Sequence, residues 1–244
     1  MVVVLYEKVN LPMYKMICLV NICASIAAES PEGLREKINK AFSCGTNYIE
    51  VRFDFLSLSD MEEALNIAES VREKAIFTLR TPTEGGKFKG SNNERIIWLK
   101  KLSMAKPMLV DIEYATIKAD DDIANYFKSQ KIPILISWHD FEKTPSKAQL
   151  IDMLEQMRIY SNFIKIVTTA INITDALRIL DLYQNAAESN LIAFSMGEAG
   201  IISRIMCTII GGSPFTYAAL DESIAPGQLT IKQMRNIYNK ISLP

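Results

Sequence analysis

The chain has 244 residues, 49% of them apolar, and 27 Lys and Arg against 28 Asp and Glu leave a net charge of −1. So even a balance offers no basic face for nucleic acid, and no apolar stretch is long and uninterrupted enough to span a bilayer. The first residues lack the basic-then-apolar order of a secretory signal. Four cysteines (Cys18, Cys23, Cys44, Cys207) are scattered without a Cys-x-x-Cys. That pattern reads as reduced core thiols in a cytoplasmic protein, with no metal site and no disulfides.

Residues 1–15 fit no repeat and read as a short hairpin closing the floor of the fold. From there apolar, β-branched runs alternate with segments of helical periodicity. A strand-like run at 17–26 precedes a helix at 31–42, opened by Ser30 as N-cap with Pro31 in the first turn. The run at 48–53 leads to a helix at 60–72, capped by Ser59 or Asp60, whose Met61, Ala64, Leu65 and Ala68 share a face. Strand-like runs follow at 75–79, 108–112, 132–138, 163–167, 191–195 and 215–220. Each has its own helix, at 92–104, 120–127, 145–160, 172–185, 199–209 and 231–239. Eight such units predict an α/β fold, a (β/α)8 barrel in one domain over residues 1–244. A doubly wound open sheet would place a Gly-rich phosphate turn after its first strand, where this chain reads Ala24-Ser25-Ile26-Ala27-Ala28.

Barrel enzymes keep their chemistry at the C-terminal strand ends, and the polar residues collect there. Glu50, Arg52 and Asp54 alternate onto one face of the second run, toward the interior. Arg80 ends the third run and precedes Glu84-Gly85-Gly86. Asp111 and Glu113 end the fourth. His139, the only histidine, ends the fifth. Lys165 is embedded in the sixth, between Ile164 and Ile166. Ser203-Arg204 follows the seventh, and Ala225-Pro226-Gly227-Gln228 the eighth. A lysine inside a strand buried on both faces needs a partner or a task. An ion pair with Asp111 or Glu113 satisfies the first demand; an amine nucleophile beside a proton shuttle satisfies the second. Arg52 with Glu50 and Asp54 reads equally as a structural ion network, and Arg80 and Arg204 as surface charges.

In order and spacing these motifs, with Phe77-Thr78-Leu79-Arg80 and Ser137-Trp138-His139-Asp140-Phe141, resemble those of the type I 3-dehydroquinate dehydratases. These are Schiff-base (β/α)8 enzymes of the shikimate pathway, and the likeness runs from about residue 17 to 237. It implies that Lys165 forms an imine with the C3 ketone of 3-dehydroquinate, making an electron sink that acidifies the C2 hydrogen. The free amine this requires is favoured by apolar neighbours and nearby cations. His139 would be the general base at C2 and the acid for the departing C1 hydroxyl. Glu84 would orient the imidazole. Arg204 would hold the substrate carboxylate in a bidentate fork, with Gln228 closing over it. Glu50, Arg52 and Arg80 would bind ring hydroxyls and, with Asp111, set the field around Lys165. Ser25 would stand near the substrate, and Met196, Phe141 and Tyr217 would form pocket walls or core. No metal or organic cofactor is implied, and a homodimer is.

One position departs from the family. The serine expected immediately before Ala225 is Ile224 here, and the nearest hydroxyl is that of Ser223, so either Ser223 substitutes or that contact is absent. A different Schiff-base barrel, such as a class I aldolase or transaldolase, would bind phosphate at Gly-rich loops after strands 7 and 8. Gly211-Gly212 falls too late for that, and Arg204 with Gln228 suits a carboxylate better. A barrel retained only for binding would not need the lysine, histidine and glutamate together.

Overall fold

The computed structural model describes residues 20–187, 189–221 and 225–241. Its strands are β1 (Ile22–Ala27), β2 (Tyr48–Arg52), β3 (Ala75–Thr78), β4 (Leu109–Glu113), β5 (Ile134–His139), β6 (Phe163–Thr169), β7 (Asn190–Met196) and β8 (Thr216–Ala219). All pair in parallel, in the order β7-β6-β5-β4-β3-β2-β1-β8. The first strand therefore lies between the second and the last, which is a (β/α)8 barrel with one seam. Across that seam β7 and β8 share no ladder among the described residues. Side chains and loops close it instead. Phe194 lies against Tyr217, ring centroids 6.1 Å apart, and the Gly197 amide donates to the Pro226 carbonyl at 3.1 Å. A Cβ at Gly227, whose φ is 69°, would fall 2.3 Å from the Gly197 carbonyl oxygen, so only glycine lets the two loops cross.

The helices are α1 (Pro31–Ser43), α2 (Met61–Glu69), α3 (Asn92–Met104), α4 (Tyr114–Ala119), α5 (Asp121–Ser129), α6 (Lys147–Arg158), α7 (Ile173–Asp181), α8 (Ile201–Ile209) and α9 (Ile231–Ile241). Their starts follow local chemistry. Ser30 accepts from the Gly33 amide at 3.1 Å, and Ser91 with Glu94, like Ser146 with Gln149, forms a reciprocal capping box. Asp60 precedes α2 without a side-chain cap; its carboxylate accepts from Ser57 instead.

Alternation along the strands creates two apolar layers. Ala24, Ile49, Val51, Phe77, Val110, Ile112, Ile164 and Ile166 face outward and pack with the helices. Cys23, Ile76, Leu109, Leu135, Ile192 and Phe215 fill the barrel's interior. Two residues further along β1, β3, β4 and β5, the same inward face carries Ser25, Thr78, Asp111 and Ser137, all buried. The interior thus changes from an apolar plug to a polar layer within one strand period.

Four expectations are corrected. β1 begins at Ile22 rather than 17, where the Ile22 amide is taken by the Asn47 side chain; residues 17–19 and the hairpin expected at 1–15 lie outside the described residues. The helix expected at 120–127 is preceded by a second one, α4; Asp120 stands at the junction, ending α4 and capping α5 with its side chain. β2 stops at Arg52, and Asp54 leaves the strand in a 3-10 turn (Phe53–Phe55) that folds its carboxylate back onto Arg52. The helical segments at 60–72 and 172–185 are shorter than expected and finish as 3-10 turns.

Arg95 of α3 ties the outer layer to the polar one. Its buried guanidinium pairs with Glu113 and donates to the Leu79 carbonyl at 2.9 Å and to Thr116 at 3.1 Å. Burial lowers the Arg95 pKa to about 10. Arg95→Ala would leave the buried Glu113 with Arg80, 3.6 Å away, as its remaining cation and should cost about 3 kcal/mol. Urea unfolding measures this; an unchanged midpoint would contradict the assigned role.

Candidate active site

A pocket at the C-terminal ends of the strands is lined by Ser25, Glu50, Arg52, Arg80, Glu84, His139, Phe141, Lys165, Met196, Arg204, Tyr217 and Gln228. A larger cleft of about 570 Å³ lies on the far side of Glu84, lined by Thr81, Asn92, Glu113 and Asp120 to Asp122. Its lining contains neither lysine nor arginine.

Lys165 projects inward from the centre of β6 and is 5% exposed. Its Nζ stands 3.2 Å from Glu50 Oε1 and 3.6 Å from Asp111 Oδ2. The ion-pair expectation is therefore met by Asp111, whereas Glu113 turns away to Arg95 and to the Thr81 amide. Carboxylates, not cations, are the nearest charges. Each is held by further donors. Ser25 donates to Glu50 Oε2 at 3.0 Å and Thr78 to Oε1 at 3.1 Å. Arg80 and Ser137 donate to the two oxygens of Asp111 at 2.7 and 2.6 Å. Burial opposes ionisation of Glu50, but Lys165, Arg52 and Arg80 outweigh it and hold its pKa at about 2.

His139 ends β5 with its Nδ1 2.9 Å from Glu84 Oε2. Phe141 stacks on the imidazole at 6.0 Å. Burial, then Arg80, Lys165 and Arg52, keep the ring neutral well below the usual histidine range. Glu84 reaches it because the loop after β3 doubles back: a Cβ at Gly86 would lie 2.1 Å from the Arg80 carbonyl oxygen. Burial raises the Glu84 pKa to about 7, with Arg80 opposing and Asp111 reinforcing.

Arg204 differs from every other cation in the pocket. Arg52 is forked onto Asp54 at 2.8 Å through Nε and Nη2, and Arg80 has Asp111. Arg204, on α8, is 2% exposed, and none of the described carboxylates pairs with it. Its Nε is buried without a hydrogen-bond partner, and Nη2 reaches the Pro226 carbonyl at 3.5 Å. Its Cζ lies 4.4 Å from the Phe194 ring centroid. Burial lowers its pKa to about 10. A buried guanidinium with donors to spare is a site for an anion, and planar geometry suits a carboxylate.

Arg80 and Arg204 are thus buried, not surface charges, and Ser25, Glu50, Arg52, Glu84, His139, Lys165 and Gln228 line the same pocket. Ser223 and Ile224 lie outside the described residues. Gly211 and Gly212 follow α8 and lead into β8, at the opposite end of the barrel from the pocket. Sequence reasoning passed over Thr78, Ser137 and Phe194. The signal was present: each sits on the inward register already occupied by Arg80, His139 and Met196.

The model of the type I 3-dehydroquinase family matches residues 22–243. The chain is 36% identical over 201 residues to a 3-dehydroquinate dehydratase of Dehalococcoides mccartyi, covering 81% of this chain and 87% of the relative. It is 37% identical over 207 residues to that of Pyrococcus abyssi, covering 84% and 93%. Among solved structures, the type I 3-dehydroquinate dehydratase of Clostridium difficile superposes with a TM-score of 0.81 at 25% identity, covering 91% and 92% of the two chains. The chain belongs to the type I 3-dehydroquinase family.

Proposed function

We propose that this chain dehydrates 3-dehydroquinate to 3-dehydroshikimate, a step of the shikimate pathway, through a Schiff base on Lys165. One observation carries the reading: a buried lysine, a neutral imidazole and a guanidinium with no counter-ion among the described residues open onto one pocket. A substrate with a ketone and a carboxylate engages all three.

The carboxylate enters against Arg204, under Gln228. Lys165 gives a proton to His139, its freed Nζ attacks the C3 ketone, and His139 returns the proton to the carbinolamine hydroxyl, which leaves as water to give an iminium. The carboxylates of Glu50 and Asp111 stabilise this cation as they stabilised the ammonium. His139, with Nδ1 held by Glu84, removes the C2 proton through Nε2, and the electron pair moves into the iminium. The resulting enamine expels the C1 hydroxyl, which takes its proton from His139. Water then releases the product and restores the lysine. Ser25, Glu50, Arg52 and Arg80 contact the ring hydroxyls. We extend the reading to a single-domain, cytoplasmic homodimer that binds a small molecule and no nucleic acid. The balanced charge and the family's habit support this.

Lys165→Met should abolish turnover while substrate binding persists, measured by calorimetry; residual turnover near the wild-type rate would sink the nucleophile assignment. Arg204→Ala should raise KM roughly 10- to 150-fold, the worth of a charge-assisted hydrogen bond, with Arg204→Lys recovering only part. An unaltered KM would remove Arg204 from the carboxylate site.

The pH profile follows from Glu84. Its ionised form accepts from Nδ1–H and leaves Nε2 as the base, so kcat/KM should rise with pH through about 7. The sign for stability is opposite. A carboxyl raised in the folded state loses stability as pH climbs from its unfolded value toward 7. Glu84→Gln should remove the limb near 7 from the rate profile. A limb that survives there belongs to another group.

A further inference from the structure

The two cations that meet the substrate each rest on an aromatic ring, and the two rings touch. Lys165 Nζ lies 4.3 Å from the Tyr217 ring centroid, and Arg204 Cζ 4.4 Å from that of Phe194. The rings are 6.1 Å apart and tilted by 53°, and Phe215 braces Tyr217 from behind at 5.7 Å. They project from β7 and β8, on either side of the barrel's seam. The Tyr217 hydroxyl is buried and meets no hydrogen-bond partner among the described residues.

We propose that Tyr217 is a positioning residue for Lys165, its ring face seating the nitrogen through the change from ammonium to iminium, while Phe194 seats Arg204 at a fixed spacing from it. This rests on the Schiff-base reading and adds to it. The reasoning concerns hydrogen-bond count. An ammonium has three N–H donors and can serve Glu50 and Asp111 together. The iminium of a ketone keeps one. Attraction to a ring face depends on charge and distance, not on the number of N–H bonds, so it persists when a carboxylate contact is lost. The stem of Lys165 has four rotatable methylenes, and with one hydrogen bond gone the ring limits where the nitrogen can swing. Joined across the seam, the two rings tie the place of the amine to that of the guanidinium.

The test is the rate of borohydride trapping with 3-dehydroquinate, as a function of substrate concentration, beside kcat and KM. Tyr217→Leu should lower the saturating trapping rate and kcat roughly 3- to 30-fold, with KM within about twofold of wild type. Tyr217→Phe should stay near wild type in both, since the ring remains. Phe194→Leu should act on the other cation, raising KM more than it lowers kcat. Tyr217→Met replaces the leucine variant if thermal unfolding shows that the latter is not folded. Trapping in Tyr217→Leu at the wild-type rate would overturn the proposal, as would an equal loss in Tyr217→Phe. Wild-type protein that turns over without being trapped would remove the Schiff-base reading itself, and the ring's role with it.

Discussion

The pocket depends on the pairing of charges that water cannot reach. Lys165, Glu50, Asp111 and Arg80 occupy the interior of a barrel whose next layer down is apolar. None could be buried ionised alone, because desolvation would neutralise it. Together they form a chain in which every carboxylate has a cation and a hydroxyl: Ser25 and Thr78 on Glu50, Ser137 on Asp111. Replacing one member uncovers its neighbours. The lysine is therefore held at one point without being rigidly enclosed, as a nucleophile requires.

That saturation makes the exception informative. The carboxylates of Glu50, Asp54, Asp111 and Glu113 are all engaged by lysine or arginine, and among the described residues no carboxylate pairs with Arg204. Its guanidinium is buried where burial already depresses its pKa. A fold that leaves one cation uncompensated in this way carries a stability penalty, one a bound carboxylate relieves. Substrate affinity and the protein's own electrostatic deficit are then the same quantity seen from two sides.

Much of this was legible in the sequence because parallel strands impose a period of two. Glu50 and Arg52, Asp111 and Glu113, and His139 fall on inward positions near strand ends, Lys165 on an inward position within β6, and eight repeats name the barrel. What resisted reading is tertiary. Nothing local says that Asp54 would leave the strand to occupy Arg52, which takes one of three candidate arginines out of free service. Nothing says that Glu113 would be claimed by Arg95, a residue that reads as an ordinary helical cation. Arg204 reads as a surface charge for the same reason, since its neighbours in sequence belong to α8 and its partners to the β8 loop. Phe194 went unremarked because an aromatic in an apolar strand has no signature until its ring is seen under a guanidinium.

The central claim is that one substrate bridges two fixed points, an amine on β6 and a guanidinium on α8. A crystal structure of the protein after borohydride reduction in the presence of 3-dehydroquinate tests both points at once. The account predicts a single C–N bond from Lys165 Nζ to the former ketone carbon, with the carboxylate forked onto Arg204. An adduct on another lysine, or a carboxylate turned toward Arg52 or Arg80 with Arg204 left bare, would contradict it.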